Sequence, residues 1–440
     1  MSTKITSASA EGPQKTPNST PKEGDPPAGS APGGCSPPEL PQLPAAALPD
    51  RLWDAVVVGA GPAGSAAAAE LASRGYEVVL LDEKAFPREK VCGEGLLSDA
   101  VAALQRLGAW EAVREAGHTL KKLSVFSPSR FEVEAKSEYL TLRRARLDEL
   151  LARHAASRGA LFAEGRAVGV VPEGEGVRVA VLGPDRVELR ARATVLATGP
   201  RLGLLKQLGM APPEWRPEAL AVRCRVRSPV ALERLVASYD ASILPGYAWI
   251  FPLGGGDYNL GCGFFRGGFR RDLPNLATAF GIFVREFPLA RELVEEGEVV
   301  TPLAGAPLRC GLRTPGNARR GPVLAAGEAI GATLPFTGEG IGKALETGEL
   351  AAKALDAALK AGDLDLLELY PRALRKELGR KYLGYRVAER WLSSPRLADY
   401  LARRVRASRH LRRAAMGILL GASDPREIFS LRGIVRSLFS

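Results

Sequence analysis

The sequence predicts an α/β fold with a parallel-sheet domain, an inserted antiparallel-sheet domain and a helical C-terminal region. Three patterns in its 440 residues predict this organisation. A β-branched run at 54–58 is followed by a glycine-rich loop and an Ala-rich helical stretch. Short alternating strands, separated by Gly, Pro and Asp, recur from Glu218 to Phe265, as in an antiparallel sheet. Arg residues at helical spacing occupy the C-terminus.

The composition is that of a globular protein and excludes several function classes. Hydrophobic residues make up 46% and charged residues 25%, which excludes wholesale disorder. The five cysteines form no CxxC pair, so we expect no metal site and no disulfide scaffold. Neither an HExxH helix nor a GxSxG elbow occurs, which disfavours metalloproteases and serine hydrolases. The cysteine usage is typical of a reducing, cytoplasmic compartment.

Composition along the chain predicts four segments. Residues 1–50 are rich in Pro, Ser and Gly and are predicted to form a disordered tail. We expect the parallel-sheet domain over 51–217 together with 309–360, the inserted sheet domain over 218–308, and a basic helical region over 361–440. The N-terminus lacks the apolar core of a secretory signal, and no uncharged stretch is long enough to span a bilayer. A protein kept inside the cell is therefore predicted.

The first strand, loop and helix carry the pattern GxGxxG. Gly59 is expected to make the tight turn, Gly61 to let the backbone approach a pyrophosphate, and Gly64 to let the helix pack on the sheet. Pro62 and Ala63 complete the loop, and the helix N-terminus offers free N–H groups to phosphates. The unit is Rossmann-like and predicts a dinucleotide-binding site.

The second strand, 77–82, ends in an acid that suits the adenosine ribose. Asp82 lies eighteen residues after Gly64 and is expected to accept hydrogen bonds from the ribose hydroxyls. Glu83 is the alternative ribose ligand, because the alternation of the strand does not decide between two adjacent residues at its end. No second GxGxxG follows a strand. An external electron donor, NAD(P)H or a reduced protein partner, is therefore expected to visit transiently.

Later segments of the chain distinguish FAD from NAD as the bound dinucleotide, and the order in which they occur is part of the evidence. These segments are PREKVCGEG (87–95), RRARLDELL (143–151), ATVLATG (193–199), GEA (327–329) and PFTGEGI (335–341). The series resembles the FAD-dependent oxidoreductases of the para-hydroxybenzoate hydroxylase type over about residues 53–375. It resembles their geranylgeranyl reductase branch most closely, and GYAWIFP (246–252) followed by NLGCG (259–263) adds to this resemblance.

The resemblance implies FAD as the cofactor and assigns residues to it. The helix opened by PFTGEGI would present free N–H groups to the flavin N1/O2 edge, where negative charge accumulates on reduction. Glu328 stands where the family has an Asp that binds the ribityl hydroxyls; the alternative is a helix-cap acid. Arg146 would approach the phosphates or the ribityl chain; the alternative is a surface Arg. The other residues expected to contact FAD are Arg88, Cys92, Gly93, Thr198, Gly199, Pro335, Gly338, Gly340 and Ile341.

Two groups of residues are candidates for the catalytic side of the site. Tyr247, Trp249 and Phe251 alternate along one strand and so share a face. We interpret Tyr247 and Trp249 as an aromatic wall for an isoprenoid or ring substrate, with core packing as the alternative. The resemblance places Cys92 beside the flavin, where a thiol would touch substrate or relay a proton. A small inert core cysteine is the alternative.

The combined prediction is an FAD-dependent reductase that saturates carbon–carbon double bonds of a prenyl or similar hydrophobic substrate. Reduced flavin N5 would give hydride to one alkene carbon, and a nearby acid or water would protonate the other. A monooxygenase of aromatic or polyketide substrates is the first alternative. A halogenase is disfavoured, since its WxWxIP signature needs Trp at the position of Tyr247 and Ile at that of Phe251.

The C-terminal segment has a charge pattern that bears on the binding partners of the protein. From Tyr385 to Ser440 there are twelve Arg and four acidic residues, a net charge of +8, interleaved with apolar residues. This pattern is typical of a basic interfacial helix and predicts docking of 385–440 on an anionic membrane surface. The alternative is that the helices pack on the FAD-binding domain and that their Arg side chains face solvent. A surface-binding protein with a vestigial flavin fold is a further alternative. No nucleic-acid partner is expected, since no binding motif accompanies the charge.

Overall fold

The structure is a computed structural model, and it describes residues 39–266, 275–312, 317–419 and 423–429. The strands of the described residues form two sheets. In chain order they are β1 (Leu43–Pro44), β2 (Leu52–Val58), β3 (Val78–Asp82), β4 (Gly95–Leu96), β5 (His118–Phe126), β6 (Glu132–Thr141), β7 (Leu161–Glu164), β8 (Arg166–Glu173), β9 (Gly176–Leu182), β10 (Arg186–Leu196), β11 (Ala219–Arg227), β12 (Leu235–Ser238), β13 (Gly246–Gly254), β14 (Asp257–Phe265), β15 (Glu298–Val299), β16 (Ala304–Leu308), β17 (Arg319–Arg320) and β18 (Val323–Ala325).

Helices cover the sheets and fill the C-terminal region. In chain order they are α1 (Pro62–Ala72), α2 (Ser98–Leu107), α3 (Trp110–Ala116), α4 (Arg144–Ser157), α5 (Gly203–Gln207), α6 (Leu276–Glu286), α7 (Pro288–Glu295), α8 (Ile341–Ala361), α9 (Leu369–Ala373), α10 (Arg380–Leu392), α11 (Pro395–Ala407), α12 (Arg409–Leu419) and α13 (Arg426–Phe429). A π-helical turn, Leu374–Gly379, joins α9 to α10.

The first sheet is mostly parallel and has the order β1-β7-β3-β2-β10-β18-β17, with β8 and β9 extending it from β10. Its central strands are continuous apolar runs because both faces are covered. All five residues of β3 are buried. Helix α1 packs against α8 and α4 beside the sheet. The α/β class and the strand–loop–helix unit at its centre are as predicted.

The second sheet has the order β15-β11-β14-β13-β12-β5-β6-β4, with β16 also paired to β11. Strands β11, β14 and β13 are antiparallel neighbours, and α6 and α7 pack on one face of them through Phe280, Phe283 and Leu293. The sheet is larger than the predicted range 218–308. Strands β4–β6 come from 95–141, because β5 pairs in parallel with β12. This long-range pairing has no local sequence signal.

Part of the predicted tail belongs to the folded domain. Strand β1 pairs with β7 at the edge of the first sheet, with Leu43 opposite Ala163. Leu40 and Ala45 are buried beneath it. The prediction of disorder is therefore wrong for residues 39–50, which gain order from tertiary pairing rather than from their own composition. Residues 1–38 lie outside the described part of the chain.

The C-terminal helices pack onto the rest of the folded protein, with α11 in contact with β6 of the second sheet. Val405, Leu411 and Ile418 are buried in the same hydrophobic cluster as the central strands of the first sheet. The buried Tyr385 hydroxyl donates to the Ile418 carbonyl at 2.7 Å, which ties α10 to α12. Most apolar residues predicted for a membrane stripe therefore face the core; those at 420–422 and 430–440 lie outside the described residues. No helix in the described ranges is long and apolar enough to cross a membrane.

Candidate functional site

The glycine loop after β2 is shaped by close backbone contacts. Gly59 has a φ of +102°, and a Cβ there would lie 2.3 Å from the Ala197 carbonyl oxygen. A Cβ on Gly64 would lie 1.8 Å from the carbonyl oxygen of Gly59. A Cβ on Gly61 would meet nothing nearer than the Arg88 guanidinium, at 3.9 Å. Two glycines are thus needed by the fold, while Gly61 faces open space.

The two candidate ribose acids lie at the end of β3 and are held differently. Asp82 Oδ2 accepts hydrogen bonds from the Ala60 amide at 2.8 Å and from Arg88 Nη2 at 3.1 Å. Glu83 pairs with the exposed Arg201. Both acids line the same cavity, so the choice of ribose ligand stays a prediction. Asp82 also fixes the glycine loop, a role that the sequence did not predict.

A single cavity of about 850 Å³ joins the glycine loop to the second sheet. This volume lies at the upper end of ligand pockets, which run to about 1,000 Å³. The predicted site residues that line it are Gly59, Gly61, Pro62, Ala63, Asp82, Glu83, Arg88, Cys92, Gly93, Thr198, Gly199, Tyr247, Trp249, Glu328, Gly338, Gly340 and Ile341. Gly64, Arg146 and Pro335 are not among the lining residues. A glycine cradle at one end and a helix N-terminus at the other fit the shape and charge of FAD.

The cationic residue at the head of α4 differs from the predicted one. Arg146 pairs with Glu149 at 3.0 Å, and 43% of its side chain is exposed. Arg144 lines the cavity instead, and its buried guanidinium bonds Asp148 through two contacts of 2.7 Å. Burial lowers the pKa of Arg144, but the Asp148 carboxylate outweighs burial and raises it overall. Arg146 is not among the residues that line the cavity, because a two-residue step turns a helical side chain to another face, and its contact with the cofactor stays a prediction.

Glu328 lies in a short 3₁₀ turn, Gly327–Ile330, and lines the cavity with a partly buried carboxyl group. Its Oε1 accepts the Arg309 amide at 3.2 Å, and its Oε2 lies 3.8 Å from Lys90 Nζ. Burial raises the pKa of this carboxyl, although Lys90 acts in the opposite direction. The carboxyl group is positioned by two partners while one side of the residue faces the cavity.

The predicted aromatic wall forms on β13. Tyr247 and Trp249 have ring centroids 5.8 Å apart, and Tyr247 also stacks on Phe265 at 6.4 Å. The Tyr247 hydroxyl donates to the Thr337 carbonyl at 2.5 Å, and Trp249 Nε1 donates to Asn259 Oδ1 at 2.8 Å. The rings line the cavity while their polar atoms are anchored by hydrogen bonds, and the substrate-binding role of the two residues stays a prediction.

Cys92 is half-buried in the cavity wall, and its carbonyl accepts a hydrogen bond of 2.9 Å from Asn259 Nδ2, the partner of Trp249. Its Sγ accepts the Glu94 amide at 3.3 Å, and the Arg144 guanidinium also lies within hydrogen-bonding reach. A Cβ on the neighbouring Gly93 would make ordinary van der Waals contacts of 3.5 Å with Trp249 and Phe251, so this segment lies directly beside the aromatic wall. The structure thus brings the predicted thiol, the aromatic wall and the glycine loop to one cavity.

Sequence reasoning missed Arg144 and Glu339. The i,i+4 spacing between Arg144 and Asp148 was a signal for the first, and the second lay unexamined inside PFTGEGI. Among the residues that the structure describes, no group of three or more His, Cys, Asp or Glu is placed to hold a metal ion.

Residues 53–219 match a family model described as an FAD binding domain. The menaquinone reductase of Mycolicibacterium smegmatis is 36% identical over 354 residues, which cover 77% of this chain and 83% of that one. The digeranylgeranylglycerophospholipid reductase 1 of Methanopyrus kandleri is 33% identical over 334 residues, which cover 71% and 82%.

Solved structures share the fold at lower identity. A geranylgeranyl bacteriochlorophyll reductase-like protein from Thermoplasma acidophilum superposes with a TM-score of 0.72 at 22% identity, covering 88% of this chain and 96% of that one. A flavin-dependent brominase has a TM-score of 0.69 at 18% identity, covering 88% and 98%. At these identities the likeness concerns the architecture alone, which serves several flavin chemistries.

Proposed function

Because the chain belongs to the geranylgeranyl reductase family of FAD-dependent oxidoreductases, we propose that it saturates carbon–carbon double bonds of a prenyl or similar hydrophobic substrate. FAD is its cofactor. Membership of an enzyme family speaks against the alternative of a surface-binding protein with a vestigial flavin fold. The names of the relatives support the substrate class, since menaquinone and digeranylgeranylglycerophospholipid both carry isoprenoid chains.

The observation that carries the proposal is the continuity of the cavity. The same space that begins at the glycine loop is bounded, at the second sheet, by apolar side chains. These include Leu220, Val222 and Leu308 beside Tyr247 and Trp249. An apolar chain placed against this wall would meet the cofactor without crossing solvent, and hydrophobic burial favours its binding.

Reduced FAD supplies the hydride for this chemistry. The residues of the chain bind and orient the reactants. The glycine loop and the N-terminus of α8 would hold the cofactor, and Arg144, which lines the same cavity, would supply a fixed positive charge to it. Tyr247 and Trp249 exclude water from the alkene, which keeps the site dry for hydride transfer.

The deciding experiment is anaerobic. Purified protein, reduced chemically under argon, is mixed with menaquinone or with a geranylgeranyl lipid, and the products are analysed by mass spectrometry. A gain of two hydrogens per double bond supports the proposal. Turnover that requires O₂ and adds oxygen to the product supports the monooxygenase alternative and contradicts the reductase.

We also propose that the external electron donor, NAD(P)H or a reduced protein, docks only transiently. No second glycine-rich nucleotide loop occurs in the sequence to hold a nicotinamide nucleotide. Anaerobic stopped-flow mixing with NADH, NADPH or a reduced electron-transfer protein identifies the donor by the bleaching of oxidised flavin. A nicotinamide nucleotide that co-purifies in stoichiometric amount contradicts a transient visit.

We further propose that the basic face of the C-terminal helices contacts an anionic membrane surface. Arg396, Tyr400 and Arg403 recur at i, i+4 and i+7 on α11 and are exposed. Arg409, Arg412 and Arg413 form a similar exposed set on α12. Among the described residues from 380 to 418 the acidic residues are Glu389 and Asp399, and both are only partly exposed. The exposed charge of this face is therefore mostly positive.

Liposome flotation tests this contact. Removal of residues 385–440 is unsuitable, because it would also remove core residues such as Tyr385 and Ile418. The variant with Arg396, Arg403, Arg409 and Arg413 changed to Gln keeps the core intact. We expect flotation of the native protein with anionic vesicles, weaker flotation at high salt, and little with the variant. Equal flotation with neutral vesicles, or none with either, contradicts the contact.

A further inference from the structure

A buried carboxyl group at the head of α8 has no role in the mechanism so far. Glu339 is 7% exposed and lines the cavity beside Tyr247. Its Oε1 accepts the Gly342 amide at 2.6 Å, which fixes the carboxyl group over the first turn of the helix. One carboxyl oxygen is thus held by the backbone, in a residue that borders the reaction space.

A second carboxyl group lies on the other side of the same glycine. Asp99, on α2, packs so closely that a Cβ added to Gly342 would lie 2.8 Å from Asp99 Oδ2. Lys343 Nζ is 3.5 Å from that oxygen and 2.6 Å from Glu346 Oε2. The side chains of Asp99 and Lys343 are 8% and 5% exposed, whereas that of Glu346 is 23% exposed. Ionisable groups therefore run from the cavity towards the surface.

The environment of Glu339 favours its neutral form. Burial, and then the charge of Asp99, raise the pKa of Glu339 to about 8, against opposing contributions from the Gly342 amide and Lys343. Tyr247, Tyr382 and Tyr385 also face this cluster, and burial raises the pKa of each hydroxyl, so all three stay neutral. At neutral pH the carboxyl of Glu339 therefore holds a proton at the cavity wall.

We propose that Glu339 is the acid that protonates the substrate carbon, and that Asp99, Lys343 and Glu346 return a proton to it from the surface. This inference rests on the proposed alkene reduction. There the π bond breaks, one carbon accepts the hydride supplied by reduced FAD, and its neighbour accepts the Glu339 proton. The alkene gains two electrons, FAD is oxidised, and Glu339 is left as a carboxylate that the relay reprotonates.

The charge balance of the cavity supports this role. In the arrangement that the family resemblance implies, negative charge would accumulate on reduced FAD near the α8 N-terminus. A carboxylate there would repel that charge, whereas a neutral carboxyl does not and has a proton to give. An acid with a pKa near the working pH is also the best general acid, because it is protonated yet gives up its proton readily.

The first test needs no substrate. Infrared difference spectra of the oxidised holoenzyme are recorded during a pH titration through about 8. We expect the carbonyl band of a protonated carboxyl group to disappear with a midpoint near 8 in the native protein and to be missing in Glu339→Gln. The control is Glu349→Gln, the same change at a buried Glu of α8 that pairs with Arg106. Loss of the band in the control, or its persistence in Glu339→Gln, overturns the proposal.

The second test measures anaerobic turnover of a prenyl alkene. We expect Glu339→Gln to lower turnover by about 100-fold or more with bound FAD retained, and Glu349→Gln to change it little. Native turnover should fall as the pH rises through about 8, a measurement that needs no variant. Native turnover that stays constant through this pH, or full activity in Glu339→Gln, overturns the role of Glu339. A native protein that reduces no alkene contradicts the proposed function instead.

Discussion

The two sheets contribute to the cavity in opposite ways. The first sheet contributes one contiguous stretch, in which β2, the glycine loop, α1 and Asp82 follow one another between residues 52 and 82. The second sheet builds its wall from β11, β13 and β16, which only strand pairing brings together. The glycine-loop end of the predicted cofactor site is thus local in the chain, whereas the rest of that site and the substrate wall depend on long-range packing. Damage to the first should remove FAD, and damage to the second should change turnover.

The largest effects are expected in the glycine loop, where two substitutions separate binding from folding. Gly61→Val directs a branched side chain into the cavity without a protein clash, so the protein should fold but purify colourless. Gly64→Val collides with the Gly59 carbonyl and should prevent folding. Flavin absorbance and circular dichroism distinguish the two outcomes. Stoichiometric FAD in Gly61→Val would show that this loop does not hold the pyrophosphate.

A second pair of substitutions tests the role of Arg144, which lies at the head of α4 and lines the cavity. Arg144→Ala leaves part of the buried Asp148 charge uncompensated, so we expect a loss of about 3 kcal/mol in the free energy of unfolding, together with weaker FAD binding. Arg146→Ala removes an exposed pair and should cost less than about 1 kcal/mol with FAD binding unchanged. Denaturant melts and FAD titration measure both. Equal effects of the two variants would contradict the assignment of Arg144 to the site.

The substrate wall is tested on a single strand. Trp249→Phe removes the hydrogen bond to Asn259 and shrinks the wall, so turnover should fall about tenfold, or ~1.4 kcal/mol, while the bound-flavin spectrum stays the same. Ile250→Val alters the opposite face of β13, which packs in the core with α6 and α7. It should cost about 1 kcal/mol of stability and leave turnover unchanged. A Trp249→Phe protein that loses stability but keeps full turnover would favour pure core packing.

The smallest effect is expected on the exposed face of α11. Arg403→Gln removes one exposed charge from the basic face and should weaken binding to anionic vesicles by about 1 kcal/mol, roughly fivefold. Arg190→Gln removes an exposed charge from β10 of the first sheet, outside this basic face, and serves as the control. Vesicle co-sedimentation measures both. Equal weakening would show that net charge, rather than this face, governs binding.

Local sequence patterns predicted the part of the site that is local. The β-branched run, the glycine spacing and the acid at the end of β3 lie within one supersecondary unit, whose periodicity and turn chemistry are visible in neighbouring residues. The alternation at 247–251 likewise predicted the shared face of Tyr247 and Trp249, because side chains alternate along any strand.

Tertiary structure decided the rest. Pairing of β5 with β12 moved 95–141 into the second sheet, and pairing of β1 with β7 ordered residues 39–50. Because of the packing of α4, Arg144 and not Arg146 lines the cavity. The packing of α8 against α2 likewise buries Glu339 near Asp99. Burial, orientation and the pKa of a buried acid depend on neighbours distant in the chain, and no window of adjacent residues contains those neighbours.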